Sequence, residues 1–221
     1  MKHIIGLVIR FTLLAVIVIV LWWASIASLS NVLNLSIVVG GTLLVFPVAW
    51  LGRKSLDRNR AAVTWITMFV HFAVMLLLGM AFVRVLTTHQ DWPGLVLPVP
   101  SEIGLPLVII TGAVCLLTVV NLALKGSGAP FFIVLSRRLA ADWLYARTRN
   151  PMVLATLAWF LSFAIWFQSI LFVLWVIILF APALLTYVKV YEERELEIRF
   201  GASYLEYKSR TPFLFPRRSR D

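Results

Sequence analysis

Charged residues flank a long apolar stretch near the C-terminal end of the chain. The run Arg149–Pro151, read as Arg-Asn-Pro, precedes this stretch, and Glu192 and Glu193 follow it. The 40 residues of Met152–Tyr191 suffice for about two membrane crossings of about 20 residues each. Such a hairpin would bring both acids back to the side of the arginine. Taken alone, these residues are typical of the ordinary charges that flank a membrane span. Because an arginine binds anionic groups and carboxylates bind cationic ones, a polar ligand site here is the alternative.

The segment after the acids predicts two short helices. Gly201 is typical of a helix end, and a second helix over Ser203–Ser209 would place Tyr204 and Tyr207 on one face. Tyrosine rings at this spacing could stack on a planar ring or contact a cation. The charge pairs expected along the first of these helices, at a spacing of four residues, are Lys189 with Glu193 and Glu195 with Arg199.

This ordered set resembles the isoprenylcysteine carboxyl methyltransferase family, which shares its C-terminal region with the phospholipid N-methyltransferases. The similarity covers about Gly126–Pro216, and beyond the hairpin it consists of Phe-Gly-x-x-Tyr-x-x-Tyr from Phe200 to Tyr207, then Arg210. The resemblance implies an S-adenosylmethionine pocket at the cytosolic face and a lipid or lipidated, isoprenylcysteine-like methyl acceptor. It implies catalytic roles for Arg149 and Glu193. The residues that it implies for cofactor binding are Asn150, Pro151, Glu192, Tyr204, Tyr207 and Arg210.

Two other functions stay open at this point. Val153 and Ala155 stand where the family usually has Tyr and Gly, which favours a non-enzymatic transport or assembly protein on the same scaffold. Membrane sterol reductases have a similar C-terminal hairpin and bind a nicotinamide cofactor there. No Gly-x-Gly-x-x-Gly run follows a strand pattern, so the sequence excludes the soluble dinucleotide-binding fold.

Composition identifies the elements that position these residues as membrane helices. Of 221 residues, 61% are hydrophobic and 14% are charged, against about 45–50% and about 25% in soluble domains. This excludes a soluble globule and a disordered chain. Six apolar runs predict six helices, because a backbone in lipid must satisfy its own hydrogen bonds. The runs are Phe11–Leu29, Val32–Leu51, Ala61–Val83, Leu105–Leu124, Met152–Phe167 and Ile170–Tyr191.

We therefore expect an all-α, polytopic membrane protein with about six transmembrane helices, a C-terminal helical hairpin and a cytosolic amphipathic tail. Residues 1–124 would form an N-terminal membrane region of four spans. Residues 125–221 would form the methyltransferase-like region, with a cytosolic loop before the hairpin. A loop as long as the one at 125–151 is usually functional in a small protein.

The cationic residues fall almost entirely on one side of the six spans. Nineteen of the 20 Lys and Arg residues lie there, and only Arg84 lies near the other side. The connection Thr88–Gly104 carries two acids and no Lys or Arg. The positive-inside rule then predicts cytoplasmic termini and an outward-facing Thr88–Gly104. We expect the membrane to be a bacterial inner membrane. This placement accounts for most of the net charge of +10, which otherwise indicates nucleic-acid binding; we therefore expect no nucleic-acid partner.

Several single residues have structural expectations. One cysteine, Cys115, and three scattered histidines predict neither a disulfide nor a metal site. We expect Cys115 to be a small buried residue, His71 to be a packed, hydrogen-bonded histidine inside its span and Arg84 to snorkel to the outer interface. The tryptophans expected at interfaces or against lipid are Trp22, Trp23, Trp92, Trp166 and Trp175.

The last two predicted spans carry a heavy load of aromatic residues. A cleft between these spans could admit an acyl or prenyl chain of the methyl acceptor, since each buried CH₂ contributes about 0.8 kcal/mol. Packing between the helices is the alternative use of such rings. The residues concerned are Trp159, Phe160, Phe163, Trp166, Phe172 and Trp175.

Overall fold

The computed structural model describes residues 2–92, 94–126 and 138–215, and their secondary structure is helical apart from one isolated bridge between Val96 and Ser169. The α-helices are α1 (Lys2–Ile26), α2 (Asn31–Leu43), α3 (Val45–Arg58), α4 (Val63–Thr88), α5 (Ser101–Gly126), α6 (Leu144–Arg147), α7 (Pro151–Trp166), α8 (Ile170–Leu174), α9 (Ala181–Tyr187), α10 (Glu193–Phe200) and α11 (Ala202–Arg210).

Five of the helical rods are long and apolar enough to cross a membrane: Ile5–Ile26, Asn31–Arg58, Arg60–Asp91, Ser101–Gly126 and Ile170–Phe200. The sixth apolar helix, α7, has 16 residues and a length of about 24 Å, somewhat less than a hydrocarbon core of about 30 Å. The prediction of an all-α, multi-pass membrane protein is confirmed.

Proline and serine residues mark where several helices begin. Pro151 is the first residue of α7, a position where its missing N–H would have had no partner in the helix. The hydroxyl of Ser169 accepts a hydrogen bond of 3.1 Å from the N–H of Phe172 and so caps α8. The N-terminal end of α2 is capped in the same way by Ser30.

The last helical rod, Ile170–Phe200, which we call the last rod, contains two π-helical stretches. Trp175–Phe180 separates α8 from α9, and Val188–Glu192 separates α9 from α10. At the second stretch the N–H of Glu193 donates to the carbonyl of Val188, five residues earlier. Each π turn shifts the helical register, and such turns are frequent at functional sites. The helix thus continues without a break from the membrane region into the acidic segment.

The main hydrophobic core lies where the last rod packs against α3 and α4. It contains fully buried side chains from each of these helices, among them Ala49, Leu56, Ala81, Phe172 and Tyr191. Helix α5 packs instead along α7. A Cβ atom on Gly104 would lie 2.2 Å from the Cα of Trp166, so the two backbones touch at this position.

Contacts between connections define two ends of the helix bundle. At one end, which we call the cationic end, Arg194 Nη2 lies 2.7 Å from Asp57 Oδ1 and links α10 to α3. At the opposite end, the N–H of Leu97 donates to the carbonyl of Gln168 at 2.7 Å. The connections therefore alternate between ends as expected. Which end faces the cytoplasm stays a prediction.

The expectation that Arg84 snorkels to the interface is wrong. Its side chain is buried, and Nε donates to Asn34 Oδ1 at 2.9 Å. Nη1 donates to the carbonyl of Ala27 at 3.0 Å and also to that of Ala24. These carbonyls belong to the last turn of α1 and to the residue after it, where no helical N–H is left to bond them. The guanidinium satisfies them and is therefore held inside the protein.

Trp175 also departs from its expected position against lipid or at the interface. It is buried, and its indole N–H donates to Thr42 Oγ1 at 3.0 Å. Phe160 stacks on Trp175 with 6.0 Å between ring centroids and on Phe82 with 4.5 Å. These rings fill the space between α7, α4 and the last rod. Phe160 and Trp175 therefore serve packing between the helices and do not line a cleft for a lipid chain.

Candidate active site

The hairpin brings Arg149 and Glu193 together at the cationic end. Arg149 lies two residues before α7, and Glu193 is the first residue of α10. Arg149 Nη2 lies 3.1 Å from Glu193 Oε1, and the side chains are only 8% and 5% exposed. A charged pair this well buried needs further partners to offset the loss of water.

Two lysines supply such partners for Glu193. Its Oε2 lies 3.2 Å from Lys189 Nζ and 2.9 Å from Lys208 Nζ. Lys208 also bonds Glu197 Oε1 at 2.9 Å and so ties α11 to α10. Burial alone would lower the pKa of Lys208, but its hydrogen bonds to Glu197 and Glu193 outweigh that effect and raise it. Glu193 is therefore surrounded by three cationic groups.

Arg149 retains unused hydrogen-bonding capacity. Within the part of the chain that the structure describes, its buried Nε and Nη1 have no hydrogen-bond partner. An unsatisfied buried donor is costly, and the donors of a guanidinium match the geometry of a carboxylate or phosphate. The arrangement is suited to binding an anionic group, with Glu193 fixing the orientation of the guanidinium.

The segment Thr211–Phe215, which we call the tail segment, folds over the start of α7. The N–H of Arg149 donates to the carbonyl of Pro212 at 2.9 Å, and Asn150 Nδ2 donates to the carbonyl of Phe213 at 2.7 Å. The Phe213 ring lies 5.7 Å from the Arg149 guanidinium. Asn150 therefore holds the tail in place, and the Phe213 ring covers one face of the guanidinium.

Tyr204 and Tyr207 form a buried aromatic pair next to these charges. Gly201, with φ of 55°, separates α10 from α11, and the two rings lie 6.2 Å apart on α11. Tyr207 donates its hydroxyl proton to the carbonyl of Tyr145 at 2.7 Å. Burial raises the pKa of both tyrosines, and the charge of Glu193 raises that of Tyr204 further. Both therefore present neutral rings at neutral pH.

The remaining predicted site residues differ in position. Glu192 is half-buried and has no hydrogen bond or ion pair within the described ranges. Burial, and then the charge of Glu192, raise the pKa of Tyr145. Pro151 is buried at the start of α7. Arg210 is 70% exposed and pairs with Glu206, so the structure does not bring it into the cluster. Residues 127–137 of the cytosolic loop expected at 125–151 lie outside the described residues.

Sequence reasoning missed three residues of this cluster. Lys208 and Phe213 contact Glu193 and Arg149 from positions at least 15 residues away, and Tyr145 accepts from Tyr207 across the hairpin. Lys208 directly follows Tyr207, and this position was a signal that the lysine contacts the site. One face of α11 had to meet the acidic helix α10. Phe213, an aromatic residue directly after a proline, could have been found in the same way.

Residues considered for other chemistry lie apart from this cluster. The expectation for His71 is confirmed: its Nδ1 lies 2.9 Å from the carbonyl of Thr67, and its ring packs against Tyr187 and Tyr191. Cys115 is half-buried, with its Sγ 3.9 Å from Thr156 Oγ1. No group of three or more His, Cys, Asp or Glu among the described residues could hold a metal ion.

Comparison with known families gives one match. The family model for phospholipid methyltransferases matches residues 100–203, a range that includes α5, α7, the last rod and both members of the Arg149–Glu193 pair. Neither the curated proteins nor the solved structures gave a match. The match begins in the connection before α5, whereas the boundary expected from composition lies at residue 125 and stays a prediction. Residues 100–203 of this multi-pass membrane protein are thus similar to the phospholipid methyltransferase family.

Proposed function

We propose that the protein transfers a methyl group from S-adenosylmethionine to a lipid or lipidated acceptor at the cationic end. The observation that carries this proposal is the buried guanidinium of Arg149, with two unused donors beside an aromatic pair, inside a region similar to a methyltransferase family. The cofactor would supply a methyl group on a sulfonium, whose leaving thioether needs no proton.

The residues of the site suit the groups of this cofactor. Arg149 would bind the carboxylate through Nε and Nη1. Glu192, which has no ion-pair partner in the described ranges, would bind the amino group or a ribose hydroxyl. Tyr204 or Tyr207 would stack on the adenine ring. Glu193 is already engaged by three cations, so it would act by positioning Arg149 rather than by touching the cofactor.

Family and geometry also support the acceptor class. Phospholipids are the substrates named by the matching family, and the site lies where the membrane helices end. A lipid head group could reach this level while its chains stay in the bilayer. Catalysis would then consist of orienting the two reactants and excluding water, without acid or base chemistry on the leaving group.

Calorimetry with S-adenosylmethionine tests the cofactor assignment. Arg149→Ala should weaken binding by at least about 1.5 kcal/mol, the usual minimum for a hydrogen bond to a charged group. Arg210→Ala is the matched control, because it removes an exposed arginine at the end of α11. This variant should bind S-adenosylmethionine with the affinity of wild type. Unchanged affinity in both Arg149→Ala and Glu193→Gln proteins would refute the site. Titration with NADPH in place of the cofactor distinguishes a reductase, and binding of neither supports a non-enzymatic protein.

Phase separation tests the acceptor. Membranes containing the protein are incubated with methyl-labelled cofactor, and label should appear in the organic phase with wild type but not with Arg149→Ala. Protein-dependent label found only in water-soluble small molecules would exclude a lipid acceptor.

A further inference from the structure

A shallow, open groove lies at the cationic end, outside the Arg149–Glu193 site. It has a volume of about 420 Å³ and is lined by Trp50, Arg53, Lys54, Asp57 and Arg58, which lie on one exposed face of α3. The methyl-transfer proposal uses none of these residues.

The groove carries an excess of positive charge. Its single acid, Asp57, is held by Arg194, whose Nε and Nη2 each lie 2.7 Å from Oδ1. Arg53 Nε is 4.0 Å from the other oxygen of Asp57. In the described part of the chain, Lys54 and Arg58 have no ion-pair partner. Three cations therefore face the groove, and its acid is already engaged by a fourth from another helix.

The position of the groove along α3 matches the head-group level of a membrane. Trp50 is 57% exposed, and its ring lies 5.1 Å from Lys54 Nζ. Exposed tryptophans of membrane proteins concentrate at the interface between hydrocarbon and water. On the membrane side of Trp50, exposed apolar side chains follow, among them Leu43, Leu44 and Pro47. The cationic side chains thus lie at the level of a phospholipid head group, and the apolar side chains lie at the level of its acyl chains.

We propose that this groove binds the head group of an anionic phospholipid. The phosphodiester would lie between Arg53, Lys54 and Arg58, because guanidinium and ammonium groups are the usual donors to phosphate. Trp50 would contact the glycerol region, and the acyl chains would lie along the exposed side chains of Leu43 and Leu44. This proposal does not depend on the methyltransferase activity.

Native mass spectrometry of the purified chain tests the proposal, with phosphatidylglycerol and phosphatidylcholine as probes. The wild-type protein should retain phosphatidylglycerol in preference to phosphatidylcholine. Lys54→Gln/Arg58→Gln should weaken its retention at least about fivefold, as expected for two charged hydrogen bonds lost at an exposed site. The matched control, Lys125→Gln/Arg138→Gln, removes the same charge at the same end, including a lysine that lies 5.2 Å from the ring of Trp143. It should retain the lipid normally.

Equal loss in both double variants would overturn the proposal, since it would show attraction to net charge alone. So would displacement of the lipid by equimolar inorganic phosphate, which would indicate a free-phosphate site. If the double variant does not fold, Trp50→Leu provides the second test, because it keeps every charge. Unchanged preference for phosphatidylglycerol in Trp50→Leu would equally contradict the proposal.

Discussion

At the scale of single residues, the candidate site depends on one carboxylate that serves three cations. Glu193 contacts Arg149, Lys189 and Lys208, which reach it from different parts of the chain. Replacing one lysine leaves the other contacts in place, whereas replacing the acid leaves all three cations without their shared partner. Substitutions in this cluster should therefore differ in severity according to the side of the charge pair they remove.

Comparison of two substitutions tests this difference. Glu193→Gln should lower the free energy of unfolding by about 3 kcal/mol or more, because a buried arginine loses its counter-charge. Lys208→Met should cost about 1 kcal/mol, since Glu193 keeps Arg149 and Lys189. Denaturation in detergent provides the measurement. Equal losses in the two proteins would show that Glu193 does not organise the cluster.

A second prediction concerns the buried arginine at the opposite end. Asn34→Leu removes the acceptor of Arg84 Nε and should destabilise the protein by about 1–3 kcal/mol. Ser36→Ala, on the exposed side of the same helix, should stay within about 0.5 kcal/mol of wild type. Thermal unfolding followed by circular dichroism would measure both. If Asn34→Leu left the thermal stability unchanged, Arg84 would have to find other partners or water.

Sequence reasoning succeeded at this scale only where partners are close along the chain or joined by one hairpin. Arg149 and Glu193 could be brought together because the length of the hairpin fixes where its ends lie. The partners of Arg84 could not be found, since Asn34 and Ala24 lie 50 and 60 residues away in other helices. Hydropathy gives the length of a span but does not say which of its faces meets a neighbour.

At the scale of elements, the contact between α5 and α7 requires glycine. A Cβ atom on Gly104 would meet backbone atoms of Trp166 at 2.2–2.4 Å, so the helices would have to separate. Gly104→Ala should therefore destabilise the protein by about 1–3 kcal/mol, the usual cost of overpacking. Gly40→Ala is the matched control, because nothing lies within 4 Å of the position that its new methyl group would take. Thermal stability should fall only in the first protein, and an equal fall in both would indicate a general helix effect.

The five long apolar helices and the shorter α7 could be predicted from apolar runs, but their inner details could not. The third and sixth runs continue as helix well past Val83 and Tyr191, where the predicted runs end, to Asp91 and Phe200. Charged residues there stay helical because contacts with other helices, such as Arg194 with Asp57, replace water. The two π turns, at Trp175–Phe180 and Val188–Glu192, were not predicted from the sequence either.

At the scale of the whole molecule, the orientation of the protein in the membrane follows from the separation of charge between its ends. Asp91 lies at the opposite end, and Ser203 lies on α11 at the cationic end. In a Cys115→Ala background, Asp91→Cys should react with an impermeant thiol reagent in intact cells, and Ser203→Cys should react only after permeabilisation. If Asp91→Cys were labelled only from the cytoplasmic side, the topology would be the reverse of the predicted one.

The tail segment has a consequence for how the protein is made. Both helices of the hairpin can enter the membrane while the chain is still being synthesised, but Arg149 acquires its bond to Pro212, and Asn150 its bond to Phe213, only after residues 211–215 leave the ribosome. A chain that ends before Thr211 would keep both helices of the hairpin but would leave Arg149 and Asn150 without these partners. Completion of the candidate site therefore depends on a segment that is made after both helices of the hairpin.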